Sequence, residues 1–217
     1  MRRPSLSRFA SDRRGVALVE FAFVLPLLIL LSVVAFDLIR YVIYMRKVEL
    51  AASTIADLVA RNDTGTITQT DLQAIARAQL VIFPEAMTAA RDSNTSVWSL
   101  LKWTLSGVQF RKPPTCLTNC TYVATVAWSA GLKRPCLTPL TSVANTAGPS
   151  PTTLPSETFG PGFLVVADVV FSYKPLIAQS VVGSIDIAKS FYVAPRYVSS
   201  IAFDTTGGTT SAGACPL

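Results

Sequence analysis

The sequence predicts an α+β protein: a long N-terminal transmembrane helix continues into an exported domain with helices packed on an antiparallel β-sheet. Three observations predict this class. They are an apolar run near the N-terminus, a helical pattern that continues past it without a breaker, and a period-two pattern after residue 92. Half of the 217 residues are hydrophobic, 15% are charged and the mean hydropathy is +0.44, a composition typical of a protein with a membrane segment.

Residues 16–36 form the predicted transmembrane helix. Their sequence, VALVEFAFVLPLLILLSVVAF, would span roughly 31 Å as a helix, which is enough to cross a bilayer. Pro26 is compatible with this assignment because transmembrane helices tolerate proline. A cleaved secretory signal is the alternative, with a cleavage site at residues 33–35. The apolar run is longer than the roughly 7 to 15 residues of a typical signal, which favours the anchor.

The net charge of +6 is concentrated in a basic leader, residues 1–15. Five arginines against Asp12 place +4 in the first fourteen residues and leave +2 for everything after. Such a leader predicts that the N-terminus is cytoplasmic and that the domain beyond the helix is exported. The charge therefore indicates an oriented anchor and not a nucleic-acid partner.

Glu20 is the only charged residue of the apolar run. A carboxylate near hydrocarbon is energetically costly, so such residues are usually paired or have a function. One interpretation is that it reaches the headgroups or pairs with Arg13 or Arg14. Another is an assembly role. If the chain were cleaved after Gly15, the new α-amine on Val16 would lie about 6 Å from Glu20 along the helix axis, so the amine of one subunit could pair with Glu20 of its neighbour and set their axial register.

The segment RRGVALVEF, followed by an apolar helix with a proline, resembles the processing site of type IV prepilins. More narrowly, RGVALVEFAFVLPLLILL resembles the N-terminal signature of the TadE/TadG-like pilus assembly proteins of the tight-adherence (Flp pilus) system. The resemblance implies cleavage between Gly15 and Val16, and a register-setting role for Glu20. Flp-type sites commonly have tyrosine after the glutamate, whereas this chain has Phe21.

The same resemblance implies the partners and the location. The partners would be a prepilin peptidase, inner-membrane pilus platform proteins and other pilin subunits. The protein would be a single-pass protein of the bacterial inner membrane, with a cytoplasmic N-terminus and a periplasmic C-terminal domain. The expected function is that of a minor pilin or pseudopilin. The alternative is a membrane-tethered periplasmic binding or adhesin-like domain that never enters a pilus.

Residues 37–92 are predicted to be helical. The first helix is expected to continue to Arg61 and to end at Asn62, Asp63 and Gly65. Its extramembrane part carries an apolar stripe at steps of three and four: Leu38, Tyr41, Met45, Val48, Ala52, Ile55 and Val59. Further helices are expected at Thr70–Phe83, with Thr68 and Asp71 in capping-box spacing, and at Glu85–Arg91 after Pro84.

Residues 93–217 form the predicted β-rich exported domain. Alternation predicts two strands, one with Val97, Ser99, Leu101, Trp103 and Leu105 on one face, the other with Tyr122, Ala124, Val126 and Trp128. The nearly continuous apolar run of residues 163–173 predicts a central strand buried on both faces. One or two more strands are expected in residues 191–203. The Pro/Thr/Ser-rich residues 133–161 predict a long surface loop, and residues 205–217 should fray unless Cys215 pins them.

Cys116, Cys120, Cys136 and Cys215 all follow the membrane span, and an even number of cysteines in an exported domain favours disulfides over zinc. The strand between the first two and Cys136 would separate its ends by roughly 30 Å, and residues 131–135 could recover only about half of that distance. We therefore expect Cys136 to pair with Cys215, and Cys116 with Cys120.

The sequence offers no evident catalytic site. It contains no histidine, which excludes Ser-His-Asp and Cys-His catalysis and histidine-ligated zinc. It also lacks a phosphate loop, a dinucleotide fingerprint and a convincing metal cluster. We therefore expect no enzymatic activity, no cofactor, no metal and no small-molecule substrate.

Overall fold

The computed structural model describes residues 14–114, 116, 120–132, 134–136, 138–176, 179, 183–204 and 213–215. Residues 14–17 and 213–214 are described by their backbone. The structural statements below refer to these residues, so most of the predicted leader, residues 1–13, lies outside them.

The first helix, α1 (Arg14–Ala60), is one continuous helix of 47 residues and about 70 Å. Its part from Leu18 to Ala60 contains a window with a mean hydropathy of 2.6, long and apolar enough to cross a membrane. Pro26 lies inside it without interrupting it. The helix ends where the sequence predicts, and the backbone N–H of Arg196 donates to the carbonyl of Ala60 across 2.9 Å.

In the part of the chain that the structure describes, the remaining elements are three short helices after β1, followed by eight further strands and one 3-10 turn. In chain order they are β1 (Thr66–Thr68), α2 (Gln69–Ile82), α3 (Glu85–Asp92), α4 (Val97–Leu100), β2 (Leu101–Arg111), β3 (Val123–Gly131), β4 (Thr141–Val143), β5 (Thr153–Pro155), a 3-10 turn (Ser156–Thr158), β6 (Gly162–Tyr173), β7 (Ile185–Val193), β8 (Ala202–Asp204) and β9 (Gly213–Ala214). The predicted capping box starts α2, since the backbone N–H of Asp71 donates to the Thr68 hydroxyl and the Asp71 carboxylate accepts from the Thr68 backbone.

The main sheet has five antiparallel strands in the order β7-β6-β2-β3-β9. Two small parallel pairs, β1 with β8 and β4 with β5, lie outside it. The α+β class with an antiparallel sheet is therefore confirmed, as is the interior position of the apolar strand β6 between β7 and β2.

The sheet has a core on each face. One face packs against α1, α2 and α3 through residues such as Ile55, Phe83 and Phe171. The other packs against residues 136–159, with Val126, Leu140 and Leu154 among its buried side chains. Because both faces are covered, seven of the twelve residues of β6 are buried and four are half-buried.

The prediction that Trp128 lies on the same face of β3 as Ala124 and Val126 is wrong. Val126 and Ala124 belong to the second core, whereas Trp128 belongs to the first. The pairing register between β2 and β3 shifts so that Ala127 has no partner residue, which is a β-bulge. A bulge adds one residue to a strand and so reverses which side the following side chains face.

Two other strand predictions need correction. Val97 and Ser99 lie in the short helix α4, whose first turn is capped by the Ser96 hydroxyl, and the strand begins only at Leu101. The last long strand, β7, spans Ile185–Val193 and not residues 191–203. It is an edge strand with partly polar alternation, which has a weaker sequence signal than a buried strand.

The predicted surface loop of residues 133–161 is more ordered than expected. Its described part contains β4, β5 and a 3-10 turn, and it buries Arg134, Leu140 and Leu154. These side chains cover the second face of the sheet, which would otherwise expose its apolar residues to water.

Candidate assembly helix

The N-terminal part of α1 makes no buried contact with the rest of the protein. Apolar side chains there are strongly exposed, for example Leu18 at 71%, Phe23 at 79% and Leu27 at 63%. The first contact of the helix with the described part of the domain is at Asp37, whose backbone carbonyl accepts from the Tyr173 hydroxyl. About 35 Å of helix, from Arg14 to Asp37, therefore precedes the domain, which is enough to cross the hydrocarbon core of roughly 30 Å.

The predicted cleavage and register residues lie at the start of this free helix. Gly15 and Val16 are in its first turn, and the Glu20 side chain is exposed. Helical geometry separates Val16 from Glu20 by about 6 Å along the axis. Among the described residues, no other element of the protein covers the Glu20 side chain.

The predicted apolar stripe of α1 packs on the rest of the protein from Tyr41 onward. Val48, Ala52, Ile55 and Val59 are buried against the sheet. Leu38, the first predicted member of the stripe, is 61% exposed instead, because the domain begins to cover this side of the helix only beyond it.

An aromatic cluster joins α1 to the domain just above the free segment. The ring centroid of Tyr44 lies 5.4 Å from that of Phe83, 5.7 Å from Phe171 and 5.1 Å from Tyr173. Phe83 and Phe171 also meet edge to face at 4.4 Å. Such pairs add to the stabilisation from burial, so the helix is fixed to both α2 and β6 at this level.

Polar contacts reinforce this joint. The ammonium of Lys47 pairs with the carboxylate of Glu85 on α3. Burial alone would raise the pKa of Glu85, but the hydrogen bond from Lys47, a hydrogen bond from the backbone N–H of Glu85 and the charge of Lys47 together outweigh it and lower that pKa below its ordinary value. Burial raises the pKa of Tyr173, so its hydroxyl stays protonated and donates to the backbone carbonyl of Asp37 across 3.3 Å.

The far end of α1 is held by charge. Asp57 pairs with Arg61, the residue directly after the helix, and with Arg196 of the segment after β7. Contacts from Asp37 to Ala60 therefore attach the helix to the domain, whereas the segment from Leu18 to Phe36 extends beyond it.

The four cysteines lie in two disulfides, away from Glu20. Cys116 is bonded to Cys120 and Cys136 to Cys215, with Cα–Cα distances of 5.7 Å and 5.0 Å. This is the pairing that the strand-length argument favours. In the described part of the chain, no group of three or more acidic or cysteine side chains could hold a metal ion.

Sequence reasoning missed a buried ion pair between Arg134 and Asp168. The guanidinium donates to both carboxylate oxygens, with Nη2–Oδ1 and Nη2–Oδ2 distances of 2.9 and 2.8 Å. Arg134 lies in a Pro-rich segment without periodicity, so nothing in its sequence signals burial. The single acid in the apolar run of β6 was the only available indication.

Comparison with known families supports the interpretation of the N-terminal segment. The family model described as TadE-like protein matches residues 15–57, which confirms the resemblance to TadE/TadG-like pilus assembly proteins. This family implies involvement in the Tad pilus system. No curated protein and no solved structure matches the chain significantly.

Proposed function

We propose that this protein, whose residues 15–57 form a TadE-like segment, is a minor pilin or pseudopilin of tight-adherence pilus assembly. It is processed after Gly15 and assembles through the N-terminal part of α1. It acts as a building block and not as an enzyme.

The exposed apolar segment of α1 supports this proposal most directly. Among the described residues, its side chains from Leu18 to Phe36 join neither hydrophobic core, although the helix from Val48 to Val59 is buried in one of them. A membrane satisfies this surface before assembly, and the helices of other subunits can satisfy it afterwards.

Glu20 supplies the directional contact in this proposal. Cleavage after Gly15 removes the leader arginines and creates an α-amine on Val16. In a parallel array, this cation meets the Glu20 carboxylate of the adjacent subunit, displaced by about 6 Å along the axis. Charge pairing in a low dielectric then favours one axial offset over others.

The partners and location follow from the same arrangement. The leader arginines keep the N-terminus in the cytoplasm, so the domain lies in the periplasm and the anchor lies in the inner membrane. A prepilin peptidase cleaves the leader, inner-membrane platform proteins receive the processed subunit, and other pilin subunits contact its helix.

The alternative function is that of a membrane-tethered periplasmic binding or adhesin-like domain. The two-faced sheet with its disulfides could serve such a role without any filament. Under this alternative the anchor is only a tether, and the carboxylate of Glu20 has no partner to meet.

Sequencing the N-terminus of the membrane-bound protein tests processing. We expect wild type to begin at Val16 and the Gly15→Trp variant to keep its leader, because a bulky side chain obstructs the peptidase at the scissile bond. An unchanged N-terminus in this variant, or a wild-type chain that begins after residue 35, would contradict the proposal.

Replacing Glu20 tests assembly. We expect Glu20→Ala to insert normally, since alanine costs less than a carboxylate in hydrocarbon, but to abolish piliation in cells observed by electron microscopy. Glu49→Ala is the matched control, because Glu49 is an exposed acid of the same helix beyond the membrane. A tether would tolerate both changes equally.

A further inference from the structure

A cleft of about 510 Å³ opens beside the membrane-proximal end of the exported domain. Its walls come from α1, α3 and the end of β6, and include Arg40, Tyr44, Asp92 and Lys174. The volume falls within the roughly 300–1,000 Å³ of typical small-molecule sites. The register role proposed for Glu20 makes no use of this cleft.

The position of the cleft relative to the membrane follows from α1. Arg40 lies one helical turn, about 6 Å, beyond Phe36, where the apolar run ends. The headgroup layer is roughly 5–7 Å thick on each side of the hydrocarbon. Arg40 is therefore at headgroup depth when the anchor spans the bilayer.

Contacts of the segment after β6 keep the domain at this depth. The backbone N–H of Leu176 donates to Asp37 Oδ1 across 3.2 Å, so the segment touches α1 at the first polar residue after the span. The Leu176 side chain is 60% exposed beside it. Tyr173 is 2% exposed and belongs to the core, so Leu176 is the apolar side chain of this segment that can lie against the membrane surface.

The cleft offers charges of both signs. The Arg40 guanidinium is oriented by a 2.9 Å hydrogen bond to the Tyr44 hydroxyl and lies 5.5 Å from the centroid of that ring. The ion pairs among the described residues include neither Arg40, Lys174 nor Asp92. Glu85, the other acid of the cleft, is already paired with Lys47.

We propose that this cleft binds the zwitterionic phosphoethanolamine headgroup of a phospholipid from the periplasmic leaflet. Arg40 and Lys174 receive the phosphate through charge-assisted hydrogen bonds, and Asp92 receives the primary ammonium. A phosphocholine headgroup has no N–H to donate to Asp92, and a phosphoglycerol headgroup has no cation. The inference rests on the membrane anchor but not on pilus assembly, so either proposal can fail alone.

Native mass spectrometry of the full chain in detergent, titrated with lipids of identical acyl chains, tests this site. We expect phosphatidylethanolamine to bind about tenfold more tightly than phosphatidylcholine or phosphatidylglycerol, as one lost charge-assisted contact implies. Equal binding of the three lipids would overturn the proposal.

Substitutions in the cleft test which side chains contact the phosphate and which contact the ammonium of the headgroup. Arg40→Gln should lower phosphatidylethanolamine affinity by about tenfold, whereas Arg46→Gln, on an exposed arginine of the same helix outside the cleft, should leave it unchanged. Asp92→Asn should remove the preference over phosphatidylcholine. Equal affinities of the two arginine variants would contradict the assignment.

Lys174→Gln, a change at an exposed residue, repeats the test if Arg40→Gln does not fold. An unchanged affinity for phosphatidylethanolamine in the folded Lys174→Gln variant would then count against the site.

Competition with two soluble compounds distinguishes a lipid-binding site from a site for free phosphate. Glycerophosphoethanolamine should compete weakly with the lipid, because it carries the headgroup without the membrane, and inorganic phosphate should not compete. Displacement of the lipid by inorganic phosphate at equal concentration would show that the cleft is a phosphate site and overturn the lipid assignment.

Discussion

Gly107 shows how one residue can fix the packing of the main core. A Cβ atom built at this position would lie 2.3 Å from Nε1 of Trp128 and 2.4 Å from Cζ of Phe163. The Trp128 indole cannot move away easily, since its N–H donates to the buried carbonyl of Ile201 across 2.7 Å. Only glycine leaves room for both rings beside the bulge.

Gly107→Ala should therefore lower the free energy of unfolding by about 1–3 kcal/mol, the usual cost of overpacking. Guanidinium titration in detergent, followed by tryptophan fluorescence, measures it. Gly148→Ala is the control, because a Cβ there meets nothing within 4 Å. Equal stability of the two variants would show that the core adapts around residue 107.

The Arg134–Asp168 pair depends on both of its charges. Arg134 is 2% exposed, and its Nη1 also donates to the carbonyl of Thr153 across 3.2 Å. Ser190 donates to Asp168 from the neighbouring strand β7. The pair thus attaches the segment before β4 to the middle of the sheet.

Asp168→Asn should destabilise the domain by about 3–5 kcal/mol, since it leaves a buried guanidinium without its counter-charge. The double variant Arg134→Met/Asp168→Leu removes both charges and should be markedly more stable than the single one. Unfolding titrations of the wild type and both variants give the comparison. A double variant that is less stable than Asp168→Asn would refute the argument.

At the scale of elements, the helices could be predicted more accurately than the strands. The absence of breakers from Asp37 to Arg61 and the capping box at Thr68 gave local signals, and α1 and α2 form with nearly the expected bounds. The bulge at Ala127 could not be predicted, because it depends on pairing with β2 and on Cys215, whose N–H donates to the Ala127 carbonyl across 2.9 Å.

The join between α1 and α3 predicts a pH dependence. Because the folded pKa of Glu85 is lowered, its ion pair stabilises the fold above its ordinary value of about 4.5, and this contribution disappears as the pH falls through the folded pKa. The Glu85 side chain is 41% exposed, so solvent limits the contribution to less than about 1 kcal/mol.

Glu85→Gln should therefore be slightly less stable than wild type at pH 7, and this difference should shrink as the pH falls below about 4.5 and through the folded pKa. Unfolding midpoints of both proteins across this range measure the difference. Glu49→Gln, at an exposed glutamate of α1, should show no comparable dependence. A Glu85→Gln difference that persists at low pH would mean that packing, and not charge, accounts for it.

At the scale of the whole molecule, the two disulfides close loops of very different length. Cys136–Cys215 joins residues 79 apart in sequence and holds the C-terminal strand β9 against the sheet, whereas Cys116–Cys120 closes a turn of separation 4. In the chain-entropy model the longer loop contributes about 4–5 kcal/mol and the shorter one about 2 kcal/mol.

Replacing Cys136 and Cys215 together by serine should therefore lower the unfolding free energy by more than replacing Cys116 and Cys120. Guanidinium titrations of the two double variants under oxidising conditions compare them directly. Equal losses would indicate that the C-terminal strand is held by its other contacts.

The sequence by itself determined the anchor, the continuous helix, the α+β class and the resemblance at the N-terminus. These features depend on local composition and periodicity, which need no knowledge of distant residues. The tertiary structure decided which side of the sheet Trp128 faces, the burial of Arg134, the ordered segment over the second face and the cleft beside Arg40. Each of these depends on groups far apart in the chain, because a buried charge or a bulge is stable only where a partner from another element meets it.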